Sequence, residues 1–273
     1  MKKNRYEKIF LILFILICVF GMLYSFINIV RWIIDNNRIK KEISDIQNNV
    51  EVTEVKDDPN TEITVPEKED PFNPYWDYIK MKLIDVDFKE LKKINSNTAG
   101  WIQVGGTNIN YPFAQANDNE FYLTHSFNKN YNKSGWAFLD YRNNKDFSDR
   151  NTIVYGHALK SGAIFGTLKN VITNSWLSDA NNHIIKLSTE KENSLWQIFS
   201  VYTVPVTSDY LKTDFANDDE FIEFSKMLID RSIYNFNTNV GENDRILTLS
   251  SCYKTTNNKI VVHAKLIKKA SSN

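Results

Sequence analysis

Apolar and polar positions divide the chain before any single residue is considered. Ile9 to Val30 is an uncharged apolar run of about 22 residues, long enough to cross a bilayer. Asp35 to Asp70 is polar, rich in Glu, Asp, Asn, Thr and Lys and poor in aromatics, the composition of a stalk rather than a packed domain. From Tyr75 the apolar positions recur at helical intervals, over Tyr75–Ile84 and again over Phe88–Ile94. Short β-type segments follow at Thr98–Val104, Ile109–Ala114, Gly135–Leu139, Asn151–Tyr155, His183–Leu187, Ser194–Val206, Ile246–Ser251 and Ile260–Ile267. Turn pairs such as Gly105-Gly106 and Asn143-Asn144 separate them. One helix interrupts the series at Asn217–Arg231, with Asn217 as N-cap, Glu220 as its capping partner, and Phe221, Phe224 and Leu228 on one face. Many short strands with few helices predict a mainly β fold, a barrel with helical decoration.

The N-terminal run is expected to be a signal anchor. A cleaved signal peptide would carry a shorter apolar core followed by a small-residue cleavage site, and neither is visible. Lys2, Lys3, Arg5 and Lys8 precede the run and Arg31, Arg38, Lys40 and Lys41 follow it, so flanking charge barely sets the orientation. The large C-terminal portion of the chain sets it instead. Residues 1–8 are expected as a cytoplasmic tail, 9–30 as the transmembrane anchor, 31–74 as a polar extracellular stalk and 75–273 as the catalytic domain, with the N-terminus inside and the C-terminus outside.

Composition adds exclusions. The 33 basic and 33 acidic residues cancel, so nothing argues for a nucleic-acid partner. Heavy use of Asn, Lys and Ile hints at an AT-rich bacterial genome. No phosphate-cradling Gly loop, internal repeat or Cys/His ligand cluster is visible, and neither a metal nor a cofactor is expected. Of the two cysteines, Cys18 lies in the apolar run, which leaves Cys252 alone at the end of the β-type run Arg245–Cys252. A lone thiol at a strand end, on the oxidising side of a membrane, is either a nucleophile or a small packed hydrophobe.

Five ordered motifs resolve that choice. Trp101-Ile-Gln-Val-Gly-Gly-Thr-Asn-Ile-Asn-Tyr-Pro112, Phe138-Leu-Asp-Tyr-Arg-Asn143, Ile153-Val-Tyr-Gly-His157, Asp209-Tyr-Leu-Lys-Thr-Asp-Phe215 and Thr248-Leu-Ser-Ser-Cys252 resemble, in the same order, those of class B sortases. The resemblance runs from about Tyr75 to the C-terminus. It implies an eight-stranded sortase-type β-barrel with N-terminal helices and one helix between strands six and seven, where Asn217–Arg231 falls. It also implies a cysteine transpeptidase (a peptidase of the EC 3.4.22 class) of a Gram-positive cell surface. Such an enzyme cleaves an Asn-Pro-x-Thr-like sorting signal of a surface protein through a thioacyl-enzyme. It then joins that protein to a peptidoglycan amine, from a precursor or a cell-wall peptide.

By the same resemblance Cys252 is the nucleophile and His157 the general acid/base, whereas His125, His183 and His263 match no catalytic position. Class B sortases carry an arginine four residues before the place of His263, and here that place holds Lys259. An ammonium keeps the charge for oxyanion stabilisation but lacks the guanidinium's planar fork. Asn119, Leu123, Tyr155, Tyr210, Leu211 and Ser250 match the family's peptide-contact positions. A hydrolytic cysteine peptidase, or a weakly active peptide- or wall-binding module on a degenerate sortase scaffold, are the alternatives. Asp70-Pro-Phe72 resembles the lid tripeptide of pilin-polymerising sortases, but those enzymes carry a second apolar span and the match is read as chance.

Overall fold

The computed structural model describes residues 2–55, 61–64, 74–205, 207–252 and 258–272. Its elements run α1 (Lys2–Asn49), β1 (Val52–Val55), β2 (Glu62–Ile63), α2 (Tyr75–Tyr78), β3 (Leu83–Val86), α3 (Phe88–Ile94), β4 (Thr98–Val104), β5 (Asn110–Ala114) and β6 (Phe138–Leu139). They continue with β7 (Asn151–His157), a 3-10 segment at Phe165–Ile172, α4 (Asn174–Leu177), β8 (Ile184–Ser188), β9 (Glu192–Pro205), α5 (Asp218–Asp230), β10 (Ile246–Cys252) and β11 (Asn258–Ser271).

Eight strands, β4 to β11, close a barrel in the order β10-β7-β6-β5-β4-β8-β9-β11, and the β10–β11 pairing completes the ring. β2 extends β11 at Lys268 and Lys269, beyond the reach of β10. The helix α5 falls between the sixth and seventh barrel strands, as the motif order implied. Trp101, Trp136 and Trp196 are fully buried, and each indole N–H finds an acceptor, in Asn110 Oδ1, the Pro112 carbonyl and Ser194 Oγ respectively.

Strand alternation sorts the chemistry from the core. Leu247 and Leu249 of β10, with Ile260, Val262 and Ala264 of β11, join the main core. Ile246 and Val261 instead join a second core with Phe221, Phe224 and Leu228 of α5. Since successive residues point to opposite faces, Thr248 and Ser250 share the outer face, the side that α5 covers.

Three expectations need correction. The helical pattern over Tyr75–Ile84 stops after α2. Leu83–Val86 is a strand that pairs antiparallel with Val52–Val55 and buries Leu83, Ile84 and Val86. The partner strand lies in a polar stretch some thirty residues upstream, so local periodicity carries no trace of it. Much of the expected stalk is also structured. α1 continues without a break to Asn49, and Asn36, Ile39, Ile46 and Val50 are buried on the domain. Gln47 Nε2 donates to the Asn110 carbonyl at 2.6 Å, and Glu42 Oε1 accepts from Asn128 N at 2.8 Å. The 4-3-4 spacing of Ile39, Ile43, Ile46 and Val50 was the signal for this packing. Asp70-Pro-Phe72 lies outside the described residues.

The third correction is local. Asn217 caps α5 as expected, its Oδ1 accepting from Glu220 N at 2.9 Å. Glu220, however, turns to Ala216 N at 2.6 Å and to the Lys212 ammonium rather than to the cap residue's own N–H. Asn217→Ala should therefore cost about 1 kcal/mol, read as a lower urea midpoint with an unchanged slope. An unaltered midpoint would show that the cap does not hold the helix.

Candidate active site

β7 and β10 run parallel in a register that pairs Ile246 with Asn151 and ends by pairing Cys252 with His157. On the other side β11 pairs antiparallel with β10 from Ile246↔Lys265 to Ser250↔Val261. Two residues further along each strand come Cys252 and Lys259. Directly opposed residues on neighbouring strands share a face and lie about 5 Å apart. His157 and Cys252 thus share a backbone rung of β7 and β10, and Lys259 lies on β11, on the other side of β10.

His157 is buried, and its Nε2 lies 2.9 Å from the Leu123 carbonyl. A carbonyl only accepts, so Nε2 carries a hydrogen and Nδ1 is where the ring gains or loses its titrating proton. Two glycines make this seat possible. Gly135 has φ +61°, and a Cβ there would fall 2.5 Å from the Tyr122 carbonyl and 2.9 Å from the His157 ring. At Gly156 a Cβ would meet the Phe165 ring at 2.7 Å, so the strand could not approach so closely with any other residue.

Beside the His157–Cys252 rung the outer face carries a chain of buried, hydrogen-bonded polar side chains. Thr248 Oγ1 donates to Asn151 Oδ1 at 2.6 Å and lies 2.8 Å from His263 Nδ1, while His263 Nε2 lies 2.8 Å from the Tyr202 hydroxyl. Burial, reinforced by the Arg231 charge, pushes the His263 imidazole down to about 3. His263 is therefore a neutral packing residue. His125 stacks on Phe121 with ring centres 4.1 Å apart, and His183 lies 3.2 Å from the Tyr78 hydroxyl and 3.0 Å from the Leu177 carbonyl, its imidazole lowered by burial. Among the described residues no three His, Cys, Asp or Glu side chains converge as a metal ion would require.

The six groove candidates fall into two groups. Tyr155, Tyr210 and Ser250 are buried: Tyr155 pairs with Ser250 in register, and the Tyr210 hydroxyl lies 3.0 Å from Ser250 Oγ. They form a floor. Asn119, Leu123 and Leu211 are half-buried and keep surface to offer. Two residues without an assigned role emerge beside them. Asp140 is fully buried, accepting from the Tyr155 hydroxyl at 2.8 Å and from Arg142 through both carboxylate oxygens. Burial by itself would raise this carboxyl, but the hydrogen bonds from Arg142 and Tyr155 outweigh it and hold it below the usual range. Tyr155 is pushed up, by burial first and the Asp140 charge second. The signal was the Asp-Tyr-Arg-Asn run after a strand, a turn-forming sequence with both charges in it.

The buried His263 gives a stability prediction. The unfolded chain takes up a proton at this imidazole below pH 6.5, whereas the folded chain does so only near 3. Unfolding therefore binds a proton across that window, and stability falls as pH is lowered, by up to about 1.4 kcal/mol per pH unit. Urea midpoints at pH 7 and pH 5 should differ in the parent and differ less in His263→Gln. Equal differences would mean that His263 titrates normally.

Comparison with known proteins extends this geometry. A family model described as the sortase domain matches residues 102–267. Sortase B of Staphylococcus aureus is 35% identical over 184 residues, covering 66% of this chain and 75% of that protein. Sortase B of Listeria monocytogenes is 31% identical over 186 residues, covering 67% and 75%. Among solved structures, one of sortase B from Bacillus anthracis superposes with a TM-score of 0.68 at 30% identity, covering 86% of this chain and 99% of that one. A Staphylococcus aureus sortase B–substrate complex gives 0.62 at 35% identity, covering 66% and 84%.

Proposed function

The chain belongs to the sortases, and within them to class B, a family of cysteine transpeptidases, and on that premise we propose that it attaches surface proteins to the cell wall through a Cys252 thioacyl-enzyme. The observation that carries this is the shared rung of His157 and Cys252. The Cys252 thiolate attacks the scissile carbonyl of an Asn-Pro-x-Thr-like sorting signal. The resulting oxyanion faces the Lys259 ammonium, which stabilises it electrostatically. As the tetrahedral intermediate collapses, the C–N bond breaks and His157 gives its proton to the departing amine. A peptidoglycan amine then attacks the thioester, His157 takes a proton from it, and as the C–S bond breaks Cys252 leaves as the thiolate, restoring the starting pair.

The helix α1 supports a membrane location for this chemistry. Its residues 9–30 span about 33 Å at the helical rise, close to the hydrocarbon thickness, and their large apolar side chains are largely exposed. We read it as a single-pass anchor, N-terminus inside, with the barrel held outside on the C-terminal turns of the same helix.

Product mass tests the proposal. Incubated with a library of sorting peptides, with and without an aminoglycine acceptor, the protein should give an acceptor-linked product. Release to water alone would make it a hydrolytic peptidase, and no cleavage would make it a binding module on a degenerate scaffold. Cys252→Ala should abolish turnover while the domain stays folded, and zinc chelators should leave the parent active. Retained cleavage by the alanine variant would remove Cys252 from the mechanism.

Lys259 gives a second test. Lys259→Ala should lower kcat on the order of 10²-fold, the usual effect of removing an oxyanion donor. Lys259→Arg should preserve or raise activity, because a guanidinium offers two parallel donors where the ammonium offers a point charge. If Lys259→Ala turns over as fast as the parent, another group holds the oxyanion.

A further inference from the structure

The Phe138–Asn143 motif has no part in the chemistry above, yet three of the six groove residues are hydrogen-bonded to it. The chain leaves β6 into a turn in which Asn143 N donates to the Asp140 carbonyl at 3.1 Å and Arg142 N to Asp140 Oδ1 at 3.0 Å. Gln115 Nε2 braces the turn from behind, donating to the Asp140 and Asn143 carbonyls at 2.9 and 2.7 Å. From its front, Asp140 takes the Tyr155 hydroxyl, Tyr141 N donates to Asn119 Oδ1 at 3.0 Å, and Arg142 Nη2 donates to the Leu211 carbonyl at 3.1 Å.

We propose that the Asp140–Tyr141–Arg142 turn sets the shape of the donor-peptide groove, with Arg142 a positioning residue that acts on the peptide through Leu211. This rests on the assignment of the groove to the sorting peptide. The chemistry follows from the donors. Arg142 offers Nε and Nη2 to the two oxygens of Asp140, at 2.9 and 2.7 Å, and the same Nη2 still has a hydrogen for Leu211. The planar fork grips the buried carboxylate at both oxygens and, held in that orientation, aims its remaining hydrogen at a carbonyl 69 residues away. The Tyr141 bond works likewise. A backbone N–H must face the oxygen of the Asn119 amide, leaving its NH₂ end for a peptide carbonyl.

The wall has other fastenings, which separate positioning from folding. Tyr210 meets Ser250, Asn151 Nδ2 donates to the Lys212 carbonyl at 2.8 Å, and Asp209 pairs with Arg231. Loss of the Arg142 link would therefore move Leu211 without releasing the segment. Arg142→Lys is the informative variant, since it keeps a cation beside the buried Asp140 but gives up the two-pronged pairing that aims the guanidinium at the Leu211 carbonyl. Arg142→Ala leaves that carboxylate uncompensated and is expected to lower the melting temperature as well.

The test uses a fluorescein-labelled peptide containing Asn-Pro-Ala-Thr, titrated by anisotropy into the full-length chain carrying Cys252→Ala, with and without Arg142→Lys. The substitution should weaken binding on the order of tenfold or more, and in the active enzyme raise the donor KM by more than it lowers kcat. The acceptor KM should not move, and the melting temperature should stay near the parent's. Equal peptide affinity with and without Arg142→Lys overturns the inference alone. A fall in kcat with the donor KM unchanged also overturns it, since that is the mark of a merely structural residue. Failure of the Arg142-intact protein to bind the peptide at all overturns the groove assignment, and the inference with it.

Discussion

The parallel pairing of β7 with β10 is the constraint on which the site depends. Parallel neighbours cannot be joined by a hairpin, and the chain between them makes β8, β9 and α5 before it returns. The detour brings Cys252 and His157, far apart in sequence, to one backbone rung. It also supplies α5 and the Thr207–Thr213 segment to cover the face on which that rung lies. A slip of one residue would turn Thr248 and Ser250 into the main core and bring Leu247 and Leu249 outward. The register is protected against this by its own alternation: Leu247 and Leu249 go in, and Thr248 and Ser250 go out to named partners.

A polar outer face under a helix is costly unless every group is paired, and here the pairing also organises the site. Asn151, Thr248, His263 and Tyr202 form one chain of hydrogen bonds behind the rung, while Tyr155, Asp140 and Arg142 form another beside it, with Tyr210 bonded to Ser250, the register partner of Tyr155. Both tie down the strands and the loop wall beside the His157–Cys252 rung, in the way that preorganised sites depend on the layer behind them.

Much of the fold was legible because its signals are local. β4 matches the expected Thr98–Val104, and the cap at Asn217 opens α5 where expected. Cys252 and His157 were singled out by resemblance alone, and in the structure their positions pair in the β7–β10 register. What escaped the sequence was pairing over distance. Val52–Val55 sits in a polar segment and becomes a strand only because Leu83–Val86 accepts it. The buried state of Tyr155, Tyr210 and Ser250 was likewise hidden, since it depends on which loop folds over them. Arg142 stood in one of the five motifs, but its role needed the Leu211 carbonyl, and no spacing rule points to a backbone atom so far along the chain.

The pH dependence of Cys252 alkylation by iodoacetamide tests the central pairing most directly, because it needs neither peptide nor acceptor. If thiol and imidazole share a rung and interact, the parent's rate profile carries two inflections, one from each group, and His157→Gln reduces it to the thiol's alone. Superimposable profiles from parent and variant would mean that the two groups do not sense each other, and the account of the site would fail with them.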